Sequence, residues 1–121
     1  MNYIITVLIL TVSISVQAKD GNDLLADCQK VVDGKNGVLL SEDGKLRAAS
    51  CISYLSGFGG ADAISPLTHK GKRMFCIPKS VSLKDAAEKT VTWMLNNREK
   101  LSYPRHQVLA MANIVNFPCN V

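Results

Sequence analysis

The stretch CISYLSGFGGADAISPLTHKGKRMFCIP, from Cys51 to Pro78, decides how this chain is read. Cys51, Tyr54, Leu55 and Phe58 fall at i, i+3, i+4 and i+7, the spacing of one helix face, and Ala48, Ile52, Leu55 and Gly59 make a second row beside it. The pattern predicts a helix from about Lys45 to Ala63. Gly57, Gly59 and Gly60 weaken its far end, each costing roughly 1 kcal/mol against alanine. Such a run suits a place where another backbone comes close. Pro66 discourages helix at Ser65, and Gly71 permits a tight turn. The chain is then a polar, basic loop through Ser65, Pro66, Leu67, Thr68, His69, Lys70, Gly71, Lys72 and Arg73 before Phe75, Cys76 and Pro78 close the segment. A loop fastened near a cysteine is the first place to look for binding, because fastening lowers the ordering cost of association.

Working outward, the same period recurs on both sides. Leu24, Leu25, Cys28, Val31 and Val32 lie on one face of a helix over Asp20 to Val32, with Asp20 or Asn22 as cap and Gly34 at its left-handed end. Asp33 to Gly44 is rich in turn residues. Within it, Val38, Leu39 and Leu40 either tuck against the core or meet another subunit. Ser82, with Asp85 three residues on, opens a third helix whose stripe is Leu83, Ala86, Ala87, Thr90, Val91, Met94 and Leu95. Trp93 falls on the flank of that stripe and is the strongest aromatic anchor candidate for an interface. Covering the edge of the core is its competing role. Ser102 is the expected cap of a last helix, with Pro104 in its first turn and Val108, Met111, Ala112 and Val115 facing inward. No useful strand alternation occurs. The fold class is all-α, a small bundle of four to five helices stabilised by two disulfides.

Composition narrows the setting. Met1 to Ala18 carries no charged side chain, contains a short apolar run from Ile4 to Leu10, and ends in Val16-Gln17-Ala18, so the sequence predicts a signal peptide cleaved after Ala18. The run is short for a membrane span, which needs about 20 apolar residues. The expectation is an exported protein with no membrane attachment after cleavage. Cys28, Cys51, Cys76 and Cys119 are all in the remaining domain. An even number in a small exported chain reads as two disulfides, in any of three connectivities. Metal ligation is disfavoured: there is no C-x-x-C pair, and neither His69 nor His106 stands at ligand spacing from a cysteine. The net charge of +4 is spread out, and only Lys70, Lys72, Arg73 and Lys79 cluster. Without interleaved aromatics this is a solvated basic face, not a nucleic-acid surface.

Catalytic sets are missing from the sequence. Cysteines committed to cross-links offer no thiolate. No glycine elbow frames a serine that could pair with His69 or His106. The acidic neighbours Glu42 with Asp43, and Asp85 with Glu88, fall in a turn and in a helix's first turns, where carboxylates serve the dipole. The expectation is a protein that is not an enzyme and needs no cofactor.

Four patterns carry a resemblance: GNDLLxxC at Gly21–Cys28, CxxYxxG at Cys51–Gly57, FCIPxxV at Phe75–Val81, and FPC at Phe117–Cys119. Together they resemble the Tai-type immunity proteins, exported bacterial inhibitors of type VI secretion amidases, over nearly all of the chain after Ala18. The resemblance implies a periplasmic helical homodimer that binds a cognate amidase effector, an NlpC/P60-like cysteine peptidase acting on peptidoglycan, and plugs its cleft with a protruding loop. The matched positions are structural, so the toxin contacts are inferred physically as the loop from Ser65 to Arg73. Trp93 on the third helix, or Val38 to Leu40, are the two candidate dimer faces. The favoured disulfides are Cys51–Cys76, closing the loop, and Cys28–Cys119, tying down the tail. An antiparallel pairing of the last two helices would instead join Cys76 to Cys119 and Cys28 to Cys51. The chain also resembles, in its cysteine-bearing helices, the HdeA-like acid-stress chaperones, although a basic chain with ten acidic residues and two histidines offers no evident acid trigger.

Overall fold

The computed structural model describes residues 18–68 and 72–120. Four α-helices follow one another: α1 (Gly21–Lys35), α2 (Glu42–Thr68), α3 (Leu83–Asn96) and α4 (Arg105–Asn116), with one 3-10 turn at Arg98–Lys100 before α4. The core forms where their apolar faces meet. Leu24, Cys28 and Val31 of α1 pack with Cys51 and Leu55 of α2, Ala86, Ala87, Val91 and Met94 of α3, and Val108 and Leu109 of α4. Each large aliphatic side chain buried there contributes about 1.5–3 kcal/mol relative to exposure. Thr90, fully buried among them, satisfies its hydroxyl by donating to the Ala86 carbonyl 2.8 Å away.

The helix ends follow local chemistry, sometimes differently from the pattern reading. Asp20 caps α1 with a reciprocal pair of bonds: its carboxylate accepts from the Asp23 N–H, and the Asp23 carboxylate accepts from the Asp20 N–H. At the other end Gly34 stays helical. The left-handed position is taken by Gly37, with φ of 83°, one turn later than the sequence suggests. Ser82 does cap α3, accepting from the Asp85 N–H at 3.1 Å. Ser102 does not cap α4, which begins at Arg105 beyond Pro104. The ring of Pro104 disfavours helix at Tyr103 and so keeps Ser102 outside. The inward face of α4 is Val108, Leu109, Ala112 and Asn113, whereas Val115 is exposed.

The larger departure concerns α2. It starts at Glu42 and continues through Pro66 to Thr68, so Ser65 to Thr68 belong to its last turn rather than to a loop. Helix propagation is cooperative, and a proline this close to the end removes a single backbone bond. Ser41 supports the early start, its hydroxyl accepting from the Gly44 N–H at 3.1 Å. The glycines of α2 also have a different setting from the expected close approach. A Cβ placed on Gly57, Gly59 or Gly60 would meet nothing within 4 Å. The close approach is at Gly21, where a Cβ would lie 2.9 Å from the Leu101 backbone and 2.8 Å from Val108. There the Gly21 N–H donates to the Tyr103 carbonyl, tying the start of α1 to the entry of α4.

Both favoured disulfides are overturned. The bonds are Cys28–Cys51 and Cys76–Cys119. The buried stripe of α1 faces that of α2, which puts Cys28 opposite Cys51 with their Cα atoms 5.0 Å apart. Cys51 therefore cannot reach Cys76. The segment after α2 returns instead beside the end of α4, where the Cys76 N–H donates to the Phe117 carbonyl at 2.8 Å and Cys76 bonds to the tail.

Candidate functional site

The expected loop is resolved into three parts. Ser65, Pro66, Leu67 and Thr68 end α2; His69, Lys70 and Gly71 lie outside the described residues; Lys72 and Arg73 begin the returning strand of chain. Lys72 is exposed and Arg73 half-buried. What sequence reasoning missed is how firmly the return is fixed to the helix it leaves. Asp62, buried on α2, accepts the Met74 N–H at 3.0 Å through Oδ1, and its Oδ2 faces Arg73 Nε at 3.5 Å in an ion pair. Phe75, fully buried, stacks on Phe58 with centroids 5.8 Å apart and planes 3° from parallel. The Cys76–Cys119 bond then anchors the segment to the tail. The one signal for this clamp in the sequence is an acid standing alone among small residues, in Gly60-Ala61-Asp62-Ala63.

Around the clamp the surface is apolar. Ile64 and Met74 are each 57% exposed, and a small depression of about 220 Å³ opens between Phe58, Ala61, Met74 and Phe75. Tyr54 continues the row of rings, tilted against Phe58 and covered on its other side by the Arg105 guanidinium 4.0 Å from its centroid. Burial pushes the Tyr54 hydroxyl above its ordinary pKa, and the nearby Arg105 charge opposes the shift. The pair is a cation–π contact that holds α4 against α2.

The other anchor candidates are separated from this end. Val38 is 54% exposed and Leu39 94%, both on the connection between α1 and α2, whereas Leu40 is half-buried against Gly34 and Gly44. Beside Leu40 lies an apolar depression of about 390 Å³, lined by Val31, Ala48 and Ile52. Trp93 is half-buried against the core and forms part of a longer groove of about 580 Å³ along α3. At one end of that groove Lys35 reaches from α1 to Asp85 at 2.7 Å and Glu88 at 2.6 Å. The hydrogen bonds that Lys35 donates to both carboxylates raise its pKa, and the one it donates to Asp85 is the main cause that lowers that of Asp85. At the other end are Asn96, Asn97 and Asn116.

All four cysteines are joined in disulfides and carry no thiol. His106 is exposed on the first turn of α4. Among the described residues no three His, Cys, Asp or Glu side chains stand together as a metal would require, and no helix is long and apolar enough to cross a membrane. A family model described as Rap1a immunity proteins matches residues 20–119, a span that takes in all four helices and both disulfides. No curated protein and no solved structure matches the chain significantly.

Proposed function

The chain belongs to the Rap1a immunity protein family, and from that premise we propose that it is an exported, periplasmic inhibitor of the Tai type, which neutralises a cognate type VI secretion amidase by occluding its catalytic cleft. The observation that carries this reading is the fastening of the segment after α2. A blocking element has to arrive already shaped, because ordering it on contact consumes affinity. Here a buried carboxylate, a stacked ring pair and a disulfide fix the returning chain within five residues of one another, from Arg73 to Cys76 and its partner Cys119. The helix leading to it spans 27 residues, about 40 Å at 1.5 Å per residue, and its second half carries Gly57, Gly59 and Gly60 with open space around them. A slender arm on a braced base suits a narrow cleft.

Inhibition of this kind requires no chemistry from the inhibitor. Filling the cleft excludes substrate and water from the effector's nucleophile, taken from the resemblance to be an NlpC/P60-like cysteine. The basic residues Lys70 and Lys72 add positive charge to this part of the chain, which speeds encounter with an acidic cleft mouth. The protein acts as a homodimer that leaves the arm free, joined through Val38 and Leu39, two large apolar side chains standing in solvent on the far connection.

The test is binding. Replacing Leu67, His69 and Lys70 together by alanine should weaken the complex with the cognate effector by at least about 2 kcal/mol, roughly thirtyfold, while far-ultraviolet circular dichroism stays helical. Calorimetric titration that returns an unchanged affinity for the triple variant removes the loop from the inhibitory surface.

A further inference from the structure

We propose a second binding site, independent of effector inhibition: the groove along α3 takes a short, neutral, N-acetylated oligosaccharide. The groove runs from Asp85 to Asn96, about 16 Å at 1.5 Å per residue. Its volume of about 580 Å³ lies within the range usual for small-ligand sites.

Charge is the first discriminator. The lining holds Lys35 and Lys89 against Asp85 and Glu88. Lys35 is consumed by the two carboxylates, and Lys89 leans over the Phe117 ring at 6.0 Å. The two lysines and two carboxylates of the lining balance, so the groove carries no net charge to favour an anion or a cation, and the ligand is neutral.

The remaining polar groups are two hydroxyls, Ser80 and Thr92, and three amides. Asn96, Asn97 and Asn116 crowd the far end around Trp93. Asn97 Nδ2 donates to the Trp93 carbonyl at 2.8 Å, which fixes that amide in place. Asn116 Nδ2 is buried with no hydrogen-bond partner among the described residues. A buried donor left so costs about 1–3 kcal/mol, and an acceptor brought by a ligand recovers it. A tryptophan beside planar amides and hydroxyls matches a sugar ring, which presents C–H groups on one face and donors and acceptors around its edge. The carbonyl of an acetamido substituent is the strongest neutral acceptor a sugar carries, which makes it the partner for Asn116. A peptide fits less well. The floor is an α-helix whose backbone groups are already bonded, so no strand can be added, and the apolar lining is too sparse to seat an amphipathic helix.

Trp93 is the single tryptophan of the chain, so its fluorescence reports the groove directly. Titrating the full chain with triacetylchitotriose should shift the emission to the blue and protect it from iodide, saturably, with a Kd on the order of 1 mM or tighter. Asn116→Ala should raise that Kd about tenfold with circular dichroism unchanged. Cellotriose, which has no acetamido groups, should bind about tenfold more weakly for the same reason. No saturable change up to about 10 mM overturns the site. So does an Asn116→Ala variant of unaltered affinity, and so does a neutral pentapeptide that binds as well as the sugar. Equal binding of cellotriose overturns the acetamido assignment.

Discussion

Removing the two disulfides one at a time separates what holds the bundle from what holds the arm. The chain-entropy relation gives about 3.4 kcal/mol for a bridge closing 23 residues and about 4 kcal/mol for one closing 43. By loop length alone the Cys76–Cys119 bond is the more stabilising. The native surroundings point the other way. Cys28 and Cys51 are fully buried in the seam between α1 and α2, so replacing both by alanine adds a void on top of the lost constraint, roughly 1 kcal/mol more. Cys76 and Cys119 are half-buried and tie a returning segment to a tail, so without their bond those pieces can open while the four helices stay packed. Urea denaturation should therefore show a loss of about 4–5 kcal/mol for Cys28→Ala/Cys51→Ala, a large fraction of the 5–15 kcal/mol usual for a domain. Cys76→Ala/Cys119→Ala should lose clearly less than 4 kcal/mol globally, yet release the Cys76 amide to hydrogen exchange and weaken effector binding. Equal global losses, with the Cys76 amide still protected, would refute this division of labour. Non-reducing peptide maps joining Cys51 to Cys76 would refute the architecture beneath it.

Three further outcomes follow from particular contacts. Gly21→Ala should destabilise by about 1–3 kcal/mol in the same urea assay, because its methyl would press on the Leu101 backbone at 2.9 Å; a neutral result would mean that α1 and the turn before α4 are not locked together. Lys35→Met should lower the melting temperature slightly near neutral pH. The folded-state pKa of Asp85 is lowered from 3.8, so its share of the difference is present above that value and is lost as pH falls through the folded-state one. That of Lys35 is raised from 10.5, so its share is present below that value and is lost as pH rises through the folded-state one. A difference between variant and parent that does not shrink at both extremes would place the effect outside this bridge. Leu39→Asp should convert the proposed dimer to a monomer by light scattering without loss of helix, since a side chain 94% exposed contributes nothing to the core; an unchanged mass moves the dimer face elsewhere.

How much of this could be read in the residues depends on the range of the interaction. The stripe of α3 from Ala86 to Met94 and its Ser82 cap were legible because both are local, since side chains three and four apart share a face and a cap acts within one turn, whereas Leu83 and Leu95 at the ends of the expected stripe are exposed. The all-α class and the two disulfides follow from the same local periodicities and from the cysteine count. The pairing of those cysteines did not follow. Proximity in sequence made Cys51 and Cys76 look like neighbours across a loop, but α2 extends well past Ala63 and carries the chain away before it returns. Which cysteine meets which is set by how α1 lies on α2, a property of two helices at once. The glycines show the same limit from the other side. Gly57, Gly59 and Gly60 look like a packing face, yet the tight contact belongs to Gly21, whose neighbour Leu101 is eighty residues away.

The clamp at Asp62 carries this limit into function. A lone acid on the small-residue face of a helix has no local purpose that sequence can reveal, and burying it without a partner would cost several kcal/mol. Its partners are the Met74 amide and Arg73, which exist for it only once the chain has turned back. The energy of that buried carboxylate is therefore conditional on the shape of the segment between, and it favours conformations that deliver Arg73 and Met74 to the helix. Among the described residues the clamp is built from Asp62, Arg73 and Met74, with Phe75 stacked on Phe58 beside it. In the proposed inhibitor, recognition assigned to Leu67, His69 and Lys70 leaves the Asp62 clamp to serve stability, so a variant that breaks the clamp should lose stability as well as affinity.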